Sequence, residues 1–447
     1  MKERILIQNV TIVNEGKIFV ADILLFDELI QKIGDIKIAP NYRVIDGTGK
    51  HLFPGIIDGQ VHFRDPGLTH KGDLYTESKA AIAGGVTSFI DMPNTIPNVL
   101  TLKILKGKYD IASKKSLANY AFFLGVNGDN IDEVTQTDTS QFIGVSDDGL
   151  YFTKKRNLLA DNPETMEKLF ANCKSIIAIH SEKEQIIEEN EQVYREKYGD
   201  NVPIEFHPVI RSAKACYEAT KRAIDLAKKH NARLHILHLT TDAETHLFEN
   251  NVPLKDKRIT TEVSVHHLWF SDKDYKRLGM LIKWNPAIKT EQDKQGLLQA
   301  LLDDRIDIIT TDHAPHTIAE KQKPYFESMS GAPMVQHSLN CMLEFYKQGL
   351  ISLEKIVEKM CHNPAILYRM DKRGFIKEGY YADLTLVDLN SEWKVTKDNL
   401  LYKCGWSPME GTTFQTKVKQ TFVNGNLVYD NGEFNEQVKG REIAFRK

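Results

Sequence analysis

The chain has 447 residues, which at roughly 150 residues per domain leaves room for about three domains or one large barrel with an accessory domain. Lys and Arg number 58 against 61 Asp and Glu, a formal net charge of −3, which excludes a nucleic-acid binder working through a broad cationic surface. Hydrophobic residues at 41% and charged residues at 27% exclude a disordered or collagen-like chain.

No run approaches the ~20 apolar residues of a membrane-spanning helix, and the start, MKERILIQNVTIVNEGK, lacks the basic-then-apolar layout of a signal peptide. A cytoplasmic protein without membrane association is expected. The five cysteines (Cys173, Cys216, Cys341, Cys361, Cys404) are widely spaced and form no CxxC pair, so they read as reduced core thiols rather than as disulfides or a cysteine zinc site.

The first fifty residues run in short β-like bursts, ILIQNVTIV, GKIFVADILLF and IQKIGDIKI, separated by turn residues. From about Gly374 the same texture returns in YADLTLVDL, WKV, KQTFVNGNLVYD and REIAFRK, with a hairpin signal at Asn424-Gly425. Neither end has much core of its own, so residues 1–55 and 371–447 are expected to build one composite β domain.

Between them, residues 56–370 alternate apolar strands with longer helical stretches, the pattern of a parallel α/β fold. Eight strand candidates follow in order: PGIIDGQVH, TSFIDMP, YAFFLGV, QFIGVSD, SIIAIH, RLHILHL, ITTEVSV and IDIITTDH. YTESKAAIAGG and ACYEATKRAIDLAKKHN are helical runs between them, and the charged run from Glu182 to Lys197 reads as a solvated helix. Eight predicts a (β/α)8 TIM-type barrel, whose functional groups gather at the C-terminal ends of the strands.

Polar residues fall at those ends. Gln60, His62 and Arg64 follow the first strand, Asn94 the second, Asp147 and Asp148 the fourth, His180 the fifth, His238 the sixth, and Asp312, His313 and His316 the eighth. Helix caps account for an Asp or Asn at some of these places, but not for three separate histidines. Imidazoles and carboxylates suit zinc, which in catalytic sites keeps one position open and makes water a nucleophile near neutral pH. Hydrolysis or its reversal is the natural chemistry.

The motifs DGQVHFRDPG, DMPNT, IHSE, LHLTT, NPAI, TDHAPH, NPA and CGWSPMEG together resemble, in order and spacing, the amidohydrolase superfamily and within it the dihydroorotases, over essentially the whole chain. The resemblance implies a metal-dependent hydrolase barrel that reversibly cyclises N-carbamoyl-L-aspartate to L-dihydroorotate in pyrimidine biosynthesis. It implies His62, His180 and His238 as metal ligands and Asp312 as both ligand and catalytic acid/base. Arg64, Asn94 and His316 would hold the substrate carboxylate, and Asn285 would read the polar edge of the ring. Backbone groups of the segment from Lys321 to Pro333, with Gly331, would flank that ring. His70, His207, His266, His267, His313 and His337 are expected to be structural. Barrels of this family are often homodimers, and association with another pyrimidine-pathway enzyme fits the same resemblance.

Two departures stand out. Gln60 occupies a position where the family has histidine, so the site nearest His62 should be weakened, leaving one firmly bound zinc. No lysine follows strand four; the chain reads GVSDDG, and its spacing to His180 favours Asp148 over Asp147 as the carboxylate that takes the bridging place. These losses motivate two rival readings: an inactive, dihydroorotase-like structural partner, and a cyclic amidase of the hydantoinase or allantoinase type. Retained Arg64, Asn94, Asp312 and His316 argue against the first.

Overall fold

The computed structural model describes residues 4–137, 142–150 and 163–446; Gln141, which opens the fourth predicted strand, and Lys447 lie outside them. The predicted barrel is present. Its parallel strands are Ile56–Val61, Val86–Asp91, Asn119–Phe122 continued by Leu124–Gly125, Gly144–Ser146, Ile176–Ile179, Arg233–Ile236, Ile259–Ser264 and Ile308–Thr310. A parallel bridge between Val61 and His313, with the His62 amide donating to the His313 carbonyl at 2.7 Å, closes the last strand on the first.

Side-chain alternation along the strands sorts the core into two layers. Ile57, Ile90, Ala121, Ile176, Ala178 and Ile308 belong to one apolar cluster inside the barrel, sealed from below by Leu367, Tyr368, Met370 and Ile443. Val61, Phe89, Phe122, Ile177 and Ile179 belong to the other, which packs against the surrounding helices. The same alternation that turns Ala178 inward carries His180 to the inner side of the mouth.

The helix Ala213–His230 illustrates how the outer layer is specified. Ser212 caps its first turn by accepting from the Ala215 amide, Asn231 ends it in the left-handed region, and Ala215, Cys216, Thr220, Ala223, Ile224 and Ala227 bury one stripe. The charged helix spans Glu184–Tyr198 and buries only Ile187, as expected of a solvated helix. Glu182, counted with that solvated run, is instead buried beside His180.

Both chain ends enter one nine-stranded sheet, ordered Glu433–Phe434, Asn426–Asp430, Lys417–Val423, Leu384–Asp388, His51–Pro54, Arg4–Asn14, Lys17–Phe26 and Leu29–Gly34, with Tyr42–Asp46 paired to Arg4–Asn14. His51–Pro54 against Leu384–Asp388 is where the two ends meet. The Asn424-Gly425 hairpin turn has positive φ at both residues, 48° and 76°, as a right-twisting two-residue turn requires. Two expected strands behave otherwise. Trp393–Lys394 pairs only with Thr413–Phe414 in a separate small sheet, and the tail 441–446 makes bridges to Tyr120 and Met370 instead of joining the main sheet. Their short lengths leave too few ladder bonds to hold a place in it. Of the cysteines, Cys404 is only partly buried. Among the described residues no helix is long and apolar enough to cross a membrane.

Candidate metal and substrate site

The strand ends deliver His62, Asp148, His180, His238 and Asp312 to one point in the mouth, all buried. Three residues at the mouth have left-handed backbones, Arg64 (φ 66°), His238 (φ 36°) and Asp312 (φ 45°). Each such residue costs on the order of 1–3 kcal/mol, which the surrounding barrel must hold in place. The strain points these side chains into the mouth where a regular strand would have carried them past it.

Two triads share Asp148. The donor atoms of His62, Asp148 and Asp312 lie within 4.8 Å of one another, as do those of Asp148, His180 and His238. His62 Nε2 is 3.2 Å from Asp148 Oδ2 and 3.1 Å from Asp312 Oδ1. His180 Nδ1 lies 3.6 Å from Asp148 Oδ1 and 3.0 Å from His238 Nε2. Asp148 thus offers one oxygen to each triad. Its neighbour Asp147 accepts the His180 backbone amide at 3.0 Å and belongs to neither.

Outer partners set which ring nitrogen faces inward. Asn94 Oδ1 sits 2.8 Å from His62 Nδ1, and Glu182 Oε2 sits 2.8 Å from His180 Nε2, so the opposite nitrogens point at the carboxylates. Glu182 is 4% exposed and pairs with the Arg211 guanidinium. Replacing Glu182 by Gln keeps an acceptor for His180 but removes this anchor, and should weaken metal retention about 10–100-fold in a chelator competition, as loss of an outer partner typically does. Gly149 (φ 70°) closes the Asp147-Asp148 turn against Asn94, whose Nδ2 would lie 2.0 Å from any Cβ there.

The electrostatics are those of a cation site. Burial disfavours the His62 imidazolium, yet Asp148 and Asp312 outweigh it and lift His62 to about 10. His180 likewise rises to about 9, against burial, through Asp148 and Glu182. His238, which burial and the neighbouring His180 both penalise, stays neutral far below its ordinary value. Burial opposes ionisation of Asp148, but His62 and His180 hold it well below the usual carboxylate range. Burial raises Asp312 to about 6 even though its contact with His62 works the other way. The carboxylates that keep protons on His62 and His180 would hold a metal ion in their place.

Beside the triads a cavity of about 180 Å³ is lined by His62, Arg64, Asn94, Asp148, Asn285, Asp312 and His316, among others. At one end the Arg64 guanidinium is 3.1 Å from His316 Nε2 and the Lys71 ammonium is 3.1 Å from His316 Nδ1. Burial, with Arg64 and Lys71 adding to it, keeps His316 neutral. A neutral imidazole has one acceptor nitrogen, yet both of its nitrogens face cationic donors. Glu320 answers Lys71 at 2.8 Å, whereas Arg64 meets only the Pro315 carbonyl and His316, so it is the Arg64 guanidinium that suits an anion here. Asn285 Oδ1 is buried without a hydrogen-bond partner, an acceptor available to a ligand N–H. Gly331 is tied by its amide to the Lys283 carbonyl at 2.8 Å and lines the same wall.

The histidines expected to be structural lie outside both triads. His207 bridges the Tyr325 hydroxyl and the Trp284 carbonyl, His267 meets the Pro286 carbonyl, His313 meets Glu77, and His337 meets Tyr402. His266 stacks on Trp284 with centroids 4.0 Å apart, and His70 is exposed near Glu320. Sequence reasoning missed Lys71, Glu182 and Arg211. Glu182 stood in the IHSE motif, two residues from a ligand candidate, whereas nothing local marks Lys71 or Arg211.

Residues 51–428 match the amidohydrolase family. The chain is 31% identical over 431 residues to a dihydroorotase of Pyrococcus abyssi, covering 96% of each, and 33% identical over 421 residues to a dihydroorotase of Methanosarcina acetivorans, covering 91% of this chain and 88% of that one. Its fold superposes on the L-hydantoinase (dihydropyrimidinase) of Arthrobacter aurescens with a TM-score of 0.88 at 26% identity, over 97% of both chains. An inward-facing set of imidazoles and carboxylates on barrel strand ends, a cavity beside it that exposes an arginine to an anionic ligand, and full-length relatives with one shared activity agree: the chain belongs to the amidohydrolase family, within its dihydroorotase group.

Proposed function

We propose that this protein carries out the zinc-dependent, reversible ring closure of N-carbamoyl-L-aspartate to L-dihydroorotate. The observation that carries this reading is the Arg64 guanidinium, beside His316 and without a carboxylate partner, in the same small cavity as His62, Asp148 and Asp312, which matches a cyclic amide bearing a carboxylate. A divalent ion held by these residues supplies Lewis acidity, making water a nucleophile near neutral pH and polarising a carbonyl. Asp312 moves the proton between that water and the amide nitrogen. Arg64 grips the carboxylate with its planar fork, assisted by Asn94 and His316. Asn285 accepts a ring N–H at its unpartnered oxygen.

The hydantoinase-type reading has support from the superposition, but whereas Lys71 already pairs with Glu320 at 2.8 Å, a hydantoin or dihydrouracil ring without a carboxylate would leave the buried Arg64 guanidinium with no anion in hydrogen-bond contact, a costly state in a buried pocket. The scaffold reading gives no reason to keep this corner. Purified protein assayed with carbamoyl aspartate, dihydroorotate, hydantoin and dihydrouracil, with metal content measured on the same sample, should turn over the first two and leave the others nearly untouched. Inactivity on both at full metal occupancy would overturn the proposal in favour of the scaffold.

Arg64→Lys keeps the positive charge and loses the fork. KM for dihydroorotate should rise about 10–100-fold, the equivalent of roughly 1.5–3 kcal/mol of charged hydrogen bonding, with kcat changed far less. An unchanged KM would remove Arg64 from the carboxylate site.

A further inference from the structure

The two triads that share Asp148 are chemically unequal. Asp148, His180 and His238 offer two imidazole nitrogens and one carboxylate. His62, Asp148 and Asp312 offer one imidazole and two carboxylates. The residue that could complete the second set is Gln60, 0% exposed, whose Nε2 donates to Asp148 Oδ2 at 3.0 Å while its Oε1 is sealed in the protein with no hydrogen-bond partner. The amide is thus half satisfied. Rotation about its terminal torsion exchanges the two atoms, and would bring Oε1 against the carboxylate edge. Two oxygens facing each other there repel unless a cation lies between them.

We propose that His62, Asp148, Asp312 and Gln60 form an oxygen-rich cation site selecting a harder, exchangeable divalent ion of the manganese or magnesium class, beside a zinc-type site built on His180, His238 and Asp148. Carboxylate and amide oxygens suit Mn²⁺ and Mg²⁺, and a nitrogen-rich set suits zinc, so the two halves of one centre hold unlike metals. Gln60 acts as the selector: its NH₂ caps Asp148 when the site is empty, and its carbonyl turns inward when a cation is present. The assignment rests on the triads being a metal centre, but its test needs no turnover, so its failure and that of the dihydroorotase reading are separable.

Metal-free protein titrated with zinc against a chromophoric chelator should take up one equivalent tightly and a second about tenfold or more weakly, the scale on which a single group near a metal alters affinity. Protein carrying one zinc should then bind one Mn²⁺, read as loss of the free-ion electron paramagnetic resonance signal. Two variants push in opposite directions. Gln60→His should tighten the second zinc and weaken Mn²⁺ relative to it, whereas Gln60→Glu should favour Mn²⁺ over zinc. A packing role for Gln60 would move neither ratio. Equal affinity for two zincs in the wild type, no Mn²⁺ uptake by the one-zinc protein, or the same Mn²⁺/zinc ratio in folded Gln60→His and Gln60→Glu would each overturn the proposal. Unfolding of either variant, checked by circular dichroism, leaves the wild-type titrations to decide it.

Discussion

Asp312→Asn is expected to lower kcat by about 10³-fold or more, within the range of ~10²–10⁴ that a positioned proton carrier contributes, while leaving the folded state and KM close to wild type. Asparagine is the substitution that isolates the charge. Asp312 has φ of 45°, a region that asparagine enters readily, whereas alanine there adds backbone strain of roughly 1–2 kcal/mol and confuses a chemical loss with a structural one. The amide oxygen can still meet His62, now 3.1 Å from Asp312 Oδ1, so the cavity keeps its shape and its anion corner. What disappears is a group able to take a proton from water and pass it on, together with one anionic donor of the His62–Asp148–Asp312 set, so metal content is measured on the same variant to separate the two losses. Burial raises Asp312 to about 6 against its contact with His62, and a cation held in the same triad would favour the ionised, proton-accepting form. Wild-type turnover in Asp312→Asn, measured by ring opening of dihydroorotate, would remove the acid/base assignment.

Asp148→Asn should be more destructive still, because one side chain serves both triads. Asparagine replaces one of its two oxygens by an NH₂ that cannot ligate and leaves the other uncharged, so the His62–Asp312 set and the His180–His238 set both lose an anionic donor. Metal content after dialysis should fall to near zero, and activity with it. Breaking a buried charge cluster by deleting one partner costs on the order of 3–5 kcal/mol, so the melting temperature should drop as well. Asp147→Asn is the matched control. Its carboxylate accepts the His180 amide and stands outside both triads, so that variant should retain wild-type metal content. Undiminished metal retention in Asp148→Asn, or equal losses in the two variants, would show that Asp148 is not shared.

The barrel was legible in the sequence because its evidence is local. Runs such as SIIAIH and IDIITTDH are apolar, short and bounded by turns, and the strands appear where those runs are. The Ala213–His230 helix carries its cap, stripe and terminator within twenty residues of chain. The composite sheet was legible for a different reason: two β-like ends, each too small to fold alone, must find one another. The short runs WKV and REIAFRK have the same composition as true strands, and only competition for sheet edges decided that they stay outside.

The site shows where local information ends. Residue type and position at strand ends were enough to nominate His62, His180, His238 and Asp312, since a barrel of parallel strands brings those ends to one mouth. The choice between Asp148 and Asp147 rests on which of two adjacent side chains turns inward, and a one-residue step reverses that direction. Lys71 meets His316 across 245 positions of chain, and Arg211 meets Glu182 across 29. Asn94 reaches His62, and Gln60 reaches Asp148, only because the first, second and fourth strands converge.

By itself, then, the sequence determined the strands, the helices and the set of side chains that the mouth of a barrel would receive, because apolar periodicity and turn chemistry act over a few residues. Tertiary structure alone decided which atoms of those side chains face one another, which carboxylate is shared, and that Gln60 stands at Asp148 with one oxygen unanswered. Those outcomes depend on strand stagger, left-handed strand ends and the exclusion of water from the closed barrel, none of which is encoded at any single stretch of chain.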